Sequence, residues 1–375
     1  MPRALRYPLV ALLAVGLGLG AVVGGHHLLK WRAYRAYLAR RAVDRATPRT
    51  EPLGPDSLLV RNPVYEVGQD PWVTRVDADT AAPYHYVYTD RATNALYVER
   101  AADVLAFGRD APYFTWAPAD DPATAALTLL WAPELHRVGG RWVIYVAAKP
   151  TADLLAPSHR MHALVARDDD DLTRGFDHVG ALALPGDAWA IDGTAFRHRG
   201  RDYHVWSGWT DGERLDQSLY ICAMDDALTP RGERVRISAP THDWELRGRR
   251  LGLWPRINEG PAQLSRGGRD FLVYAASGSW SDHYALGLLE LVGDDPLDPA
   301  AWRKAPEPLL APTDEVPGPG HASFVERAGE VLCVYHAARY SRAGWDREVH
   351  VAPVRFDAAG WPSVDGPRRE VVLAR

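Results

Sequence analysis

Cysteine is nearly absent: the 375 residues hold two, Cys222 and Cys333. Each lies in an apolar, strand-like run (LYICAM and VLCVYH) without a CxxC partner. That excludes a disulfide-rich scaffold and a thiolate zinc site. Two buried free thiols, or a single disulfide, remain. Helical periodicity is scarce as well. Beyond the first 45 residues the apolar runs are short, and 29 Pro and 32 Gly punctuate the chain, which points to an all-β fold. Basic charge is in deficit over the same stretch, with 35 Lys/Arg against 47 Asp/Glu, a net of −12. A body of this sign is repelled by nucleic acid and by anionic membranes. Nucleic-acid binding is excluded.

Residues 1–45 differ, with eight Lys/Arg and one Asp. A basic MPRALR precedes an apolar run from Tyr7 to Gly25, and Lys30, Arg32, Arg35, Arg40 and Arg41 follow. Such a run, about 18 residues long, is at the short end for a membrane span. No clear A-x-A cleavage site follows it. A signal peptide or a membrane anchor through residues 7–25 both fit, and either exports the rest of the chain. Residues 46–62, rich in Thr, Pro and Arg, read as a linker, and 63–375 as the domain it carries.

Within that domain a unit of about sixty residues repeats. GGRWVIYVAA (from Gly139), GRDYHVWSG (from Gly200), GRDFLVYAAS (from Gly268) and GEVLCVYHA (from Gly329) share a turn glycine running into an aromatic-ended strand. Counted from Gly140, the turn glycines stand 60, 68 and 61 residues apart. PYHYVYTD at Pro83–Asp90 is a degenerate fifth copy. Ahead of each copy sits one polar residue in apolar or small company: Asp70, Glu134, Asp192, Glu259 and His321. Their separations are 64, 58, 67 and 62 residues. Short strands in repeats that need neighbours to bury their faces describe a β-propeller, here of five blades. One polar residue per innermost strand then converges on the central axis.

Converging carboxyl groups suit inverting glycoside hydrolysis. One carboxylic acid protonates the leaving oxygen while a carboxylate activates water on the opposite face of the sugar. The acid must keep its proton near neutrality, which burial and a neighbouring carboxylate favour. Each residue alone has an ordinary reading. Asp70 precedes Pro and Asp192 precedes Gly, both common turn pairs, and Glu259 before Gly-Pro could be a loop charge. Their shared phase in the repeat is what singles them out. Glu134 could bind substrate or hold a blade. Most of the fourteen Trp belong to blade packing, with Trp131 or Trp189 the candidates for stacking on a sugar ring. His321 in GPGHASF is either a satisfied structural residue or a holder of water or a cation. Arg347 reads as a surface strand residue or as a partner of substrate or of a catalytic carboxylate.

These residues lie in motifs that resemble glycoside hydrolase family 43, especially its exo-acting α-L-arabinofuranosidase branch. The motifs include DPWV (Asp70–Val73), LWAPELHRVGGRWVIYVAA (Leu130–Ala148), WAIDGTAF (Trp189–Phe196), INEGPAQL (Ile257–Leu264), GPGHASF (Gly318–Phe324) and GWDREVHVAPVRFD (Gly344–Asp357). They occur in order across roughly residues 65–370. The resemblance implies a five-bladed propeller with Asp70 as general base, Glu259 as general acid and Asp192 as the carboxylate that raises the acid's pKa and orients it. It also implies that His321 holds a water-coordinated calcium or similar ion at the centre, and that Arg347 lies near the substrate. No organic cofactor is implied. The first blade departs from the pattern, with DADTAAPYHY in place of a tight glycine turn.

The expected function is release of α-L-arabinofuranosyl residues from plant-type arabinan or arabinose-containing saccharides outside the cytoplasm. A β-xylosidase or galactan-active hydrolase of the same family is the alternative within the enzyme class. A membrane-tethered sugar-binding propeller without turnover is the alternative outside it. The complete set Asp70, Asp192 and Glu259 speaks against that last reading.

Overall fold

The computed structural model describes residues 27–43, 46–108, 112–150, 158–210, 213–249, 252 and 255–375. The apolar run Tyr7–Gly25, expected to be a signal or anchor, lies outside the described residues. Residues 27–43 are helical. No helix among the described residues is long and apolar enough to cross a membrane.

The rest is β. A short sheet contains β1 (Thr50–Pro52), β2 (Ser57–Arg61) and a terminal strand described below. Five four-stranded sheets follow in chain order. The first is β3 (Trp72–Arg75), β4 (Tyr84–Asp90), β5 (Ala95–Ala101) and β6 (Tyr113–Trp116). The second is β7 (Thr128–Val138), β8 (Arg141–Lys149), β9 (Arg160–Ala166) and β10 (Phe176–Ala181). The third is β11 (Ala190–His198), β12 (Arg201–Thr210), β13 (Glu213–Met224) and β14 (Pro230–Ser238). The fourth is β15 (Asn258–Arg266), β16 (Arg269–Ala276), β17 (Ala285–Leu291) and β18 (Trp302–Lys304). The fifth is β19 (Gly320–Arg327), β20 (Glu330–Ala338), β21 (Arg347–Phe356) and β22 (Pro362–Val364). The terminal strand β23 (Glu370–Ala374) returns to pair with β2.

Each four-stranded sheet is a simple antiparallel meander. First strands lie beside one another in the order β3, β7, β11, β15, β19, and β19 lies beside β3 again. The sheets therefore stand around a common axis as in a β-propeller. Hydrogen bonds lock the seams: Thr74 Oγ1 donates to the Leu135 carbonyl at 2.6 Å, and the Val73 N–H donates to Ser323 Oγ at 3.1 Å.

Alternation explains the packing. In β8, Val143, Tyr145 and Ala147 join the apolar cluster shared with the third sheet, while Trp142, Ile144, Val146 and Ala148 join the cluster shared with the first. Phe271, Val273 and Ala275 of β16 likewise face the fifth sheet, and Leu272, Tyr274 and Ala276 the third. Successive side chains of a strand point to opposite faces, so a strand with apolar residues at every position serves two interfaces. Fully burying one Val, Leu, Ile or Phe contributes about 1.5–3 kcal/mol. Cys222 and Cys333 are part of this packing, free and buried, and burial pushes the Cys222 thiol up to about 12.

The turn glycines of the repeat sit where the sequence puts them. The pairs Gly139-Gly140, Arg199-Gly200, Gly267-Gly268 and Ala328-Gly329 all have positive φ at both positions, the two-residue hairpin geometry whose twist matches the flanking strands. In the first sheet residues 76–83 replace that turn. Asp79 holds it, accepting from the Ala82 N–H at 3.1 Å and pairing with Arg100 at 2.7 Å and His85 at 3.2 Å.

Residues 46–62, expected to be a linker, contain β1 and β2 and fasten the end of the chain. Leu58, Leu59 and Val60 pair with Leu373, Val372 and Val371. Asn62 then donates its side-chain amide to the carbonyls of Val351 (2.9 Å) and Arg368 (3.0 Å) and accepts the Val351 N–H (2.9 Å). Asn62→Ala leaves these buried backbone groups without partners, and we expect it to cost about 2–4 kcal/mol. Urea unfolding of the two proteins checks this as a lower midpoint with an unchanged slope.

Candidate active site

A left-handed residue recurs beside every inward polar group. Asp70 (φ 47°), Asp192 (φ 54°) and His321 (φ 47°) are themselves left-handed, while Gly260 (φ 54°) follows Glu259 and Ala132 (φ 42°) precedes Glu134 by two. Register shifts accompany four of the five, between Trp131 and Glu134, Ile191 and Thr194, Glu259 and Ala262, and Gly320 and Ala322. Such bulges re-aim a side chain out of the pleat. At Gly260 a side chain is excluded twice, because an added Cβ would also stand 3.0 Å from the His321 ring.

Asp70, Asp192, Glu259, His321 and Arg347 meet. Asp70 Oδ1 lies 3.2 Å from His321 Nδ1 and 3.4 Å from Arg347 Nη1. The same His321 nitrogen is 3.9 Å from Asp192 Oδ2. Asp192 Oδ2 accepts the Gly260 N–H at 3.0 Å, so Asp192 grips the backbone immediately after Glu259. Tyr284 donates its hydroxyl to Glu259 Oε1 at 2.7 Å. The Arg347 guanidinium stands over the Tyr284 ring at 5.7 Å and donates to the Ser279 carbonyl at 2.6 Å. Asp70 keeps 22% of its side-chain surface exposed, whereas Asp192, Glu259, His321 and Arg347 are buried.

Burial is the main electrostatic influence here. It raises Glu259 to about 7, helped by the charge of Asp70 and opposed by the Tyr284 hydrogen bond and Arg347. Asp192 is pushed well above the usual carboxylate range, again by burial first and then by Glu259 and Asp70. The pair thus retains protons at pH values where surface carboxyls have lost theirs. Burial lowers His321, which makes the neutral ring its form near pH 7.

The remaining expected residues are divided. Glu134 is buried near the axis, its Oε2 at 2.8 Å from His136 Nε2, and burial raises its carboxyl well above the usual range. Trp131 lines a 340 Å³ cleft together with Asp70 and Arg347, backed by the His159 ring at 3.9 Å. Trp189 is instead buried between the second and third sheets and stacks on Trp209 at 5.0 Å. Among the described residues no group of three or more His, Cys, Asp or Glu side chains could hold a metal ion directly.

Two site residues escaped the sequence reading. His336 Nδ1 accepts the Asp70 N–H at 3.0 Å, and its ring stacks on Tyr284 at 5.6 Å and 11°. Because Nδ1 is an acceptor, the ring proton belongs on Nε2. Tyr284 is the other. His336 in CVYHA and Tyr284 in DHYALG look like strand core, since an aromatic in an apolar run carries no mark of its inward turn. Trp345 and Asp346, on the loop after β20, complete one wall of the cleft.

Comparison with known proteins agrees with this geometry. The chain is 30% identical over 312 residues to the extracellular exo-α-(1→5)-L-arabinofuranosidase of Streptomyces chartreusis, covering 81% of this chain and 88% of that protein. It is 36% identical over 219 residues to α-L-arabinofuranosidase 43 of Humicola insolens, covering 56% of this chain and 43% of that one. The crystal structure of α-L-arabinofuranosidase from Lactobacillus brevis superposes with a TM-score of 0.71 at 28% identity, over 81% of this chain and 95% of that one. The sequence model of glycosyl hydrolases family 43 matches residues 60–362, a span that contains every residue of the constellation above, and the chain belongs to that family.

Proposed function

We propose that the protein is a five-bladed, inverting, exo-acting α-L-arabinofuranosidase acting on α-(1→5)-linked arabinan or arabinose-containing saccharides. The observation that carries this reading is the convergence of a partly exposed carboxyl, Asp70, with a buried one, Glu259, raised to about 7. The five four-stranded sheets are its blades, and the names of its relatives supply the glycone.

The division of labour follows from environment. Glu259 holds its proton near neutrality and gives it to the glycosidic oxygen as the bond to the anomeric carbon breaks. Asp70, facing the cleft and held by Arg347 and His321, takes a proton from the water that attacks the opposite face. His336 fixes the Asp70 backbone. Asp192 orients the acid through Gly260 and shares its like-charge environment, which favours the protonated form. Trp131 offers a flat wall for a sugar ring, with Glu134 and Arg347 as polar contacts of the substrate region.

An ion at the propeller centre fits the donors present. With the Nδ1 proton directed at Asp70, His321 Nε2 keeps a lone pair, while the carboxyls of Asp70 and Asp192 stand at Nδ1, the other ring nitrogen. His321 would hold a calcium-like ion through water, and the ion would supply positive potential only. Export to the outside of the membrane, by a signal or an anchor at residues 7–25, accords with relatives described as extracellular.

Five outcomes test the assignment. Activity on α-(1→5)-arabino-oligosaccharides should exceed that on β-D-xylosides, and the reverse would reassign the glycone. Asp70→Asn should lose about 10²–10⁴-fold in kcat on any leaving group. Glu259→Gln should lose as much on arabino-oligosaccharides but far less on p-nitrophenyl α-L-arabinofuranoside, because nitrophenolate departs without a proton. Finally, kcat/KM should fall as pH rises through about 7, where Glu259 gives up its proton. Tyr284→Phe removes a hydrogen bond that favours the carboxylate, so this alkaline limb should move to higher pH. A limb that stays in place would separate it from Glu259.

A further inference from the structure

Twelve large apolar side chains among the described residues are strongly exposed, and six of them belong to helix 27–43: Leu28, Leu29, Trp31, Tyr34, Leu38 and Val43. The helix has two distinct faces. Tyr37 and Arg41, one turn apart, are buried against the propeller. Tyr37 packs on Tyr340 at 5.7 Å, Arg41 pairs with Glu66, and Arg40 donates to the Arg339 carbonyl at 3.2 Å. The opposite face presents Leu28, Trp31, Arg35 and Leu38 at positions i, i+3, i+7 and i+10, one stripe of a helix. Arg32 borders that stripe, and the Arg35 guanidinium stands over the Trp31 ring at 5.4 Å. An outward stripe of Leu and Trp flanked by arginines is not explained by packing on the described residues.

We propose that helix 27–43 is an interfacial helix that seats the propeller on an anionic lipid surface, with Leu28, Trp31 and Leu38 in the acyl boundary and Arg32 and Arg35 at the phosphates. Two observations select lipid over a protein partner. The apolar run Tyr7–Gly25 ends immediately before the helix, so the chain reaches it from a segment suited to hydrocarbon. Charge is also complementary. The body beyond residue 45 has a net charge of −12 and is repelled by anionic lipid, whereas residues 1–45 carry eight Lys/Arg and one Asp. Long basic side chains beside apolar ones anchor a helix at this depth. The helix rests on the loop that carries Trp345 and Asp346, one wall of the cleft, so the site stands at the rim nearest the bilayer. This proposal is separable from attachment through residues 7–25 and from the glycosidase reading.

The test uses the full chain with a nitroxide on Leu38→Cys, and on Val292→Cys as an exposed control remote in sequence; the native thiols are buried. Vesicles of phosphatidylcholine alone and with phosphatidylglycerol are compared by flotation and by collision with oxygen and an aqueous nickel chelate. The expected result is that phosphatidylglycerol reduces nickel collisions at position 38 several-fold and raises oxygen collisions, while position 292 is unchanged. Adding Arg32→Glu and Arg35→Glu should return position 38 to water even where the chain still floats. A label at 38 that stays aqueous on floated, anionic vesicles overturns the proposal. So does shielding of position 38 without vesicles, which would assign the face to protein contact.

Discussion

A β-strand sends its side chains to the two faces of its sheet and none along its edge. In a ring of sheets the faces meet the neighbouring sheets and the edges meet the axis, so an ordinary strand has nothing to present there except backbone. The site exists because five first strands break this rule at equivalent places. Left-handed Asp70, Asp192 and His321, and left-handed Gly260 and Ala132 beside Glu259 and Glu134, turn a side chain out of the pleat. For a residue with a Cβ that conformation costs roughly 1–2 kcal/mol, and seams such as Thr74 to Leu135 and Val73 to Ser323 hold the strands that bear it.

Once turned inward, the groups sort one another. The deeper carboxyls, Asp192 and Glu259, lose water and retain protons, whereas Asp70 stays half in the cleft against a guanidinium. Arg347 links the two environments, touching Asp70 on one side and the ring of Tyr284, the hydroxyl partner of Glu259, on the other. In the proposed mechanism, acid and base chemistry on two nearly identical side chains rests on a gradient of exposure across one constellation.

Much of this was readable in the sequence because the devices involved are chemically demanding. A two-residue hairpin with positive φ at both positions favours glycine, so Gly140, Gly200, Gly268 and Gly329 betray four of the four-stranded sheets. The first four-stranded sheet hides because Asp79 replaces backbone geometry with side-chain hydrogen bonds. Asp70, Asp192, Glu259 and His321 are legible as polar residues in phase within apolar surroundings. Trp131 and Trp189 are not distinguishable by type, since one indole lines the cleft and the other fills a seam. His336 and Tyr284 merge with their strands for the same reason. The strands β1 and β2 are obscured by Pro and Thr, although SLLVR carries the pairing with the chain's last residues.

The apolar clusters lie between sheets, and their members Tyr284 and Tyr86 reach Glu259 and the cleft. Cohesion therefore runs around the circumference, while recognition runs perpendicular to it, through a thin column of polar side chains. Exchanging a charged residue of that column, such as Glu134 or Arg347, removes no member of those clusters. Such an architecture separates evolvability of specificity from the upkeep of the scaffold, so that new sugars can be tried on a ring that does not register the change.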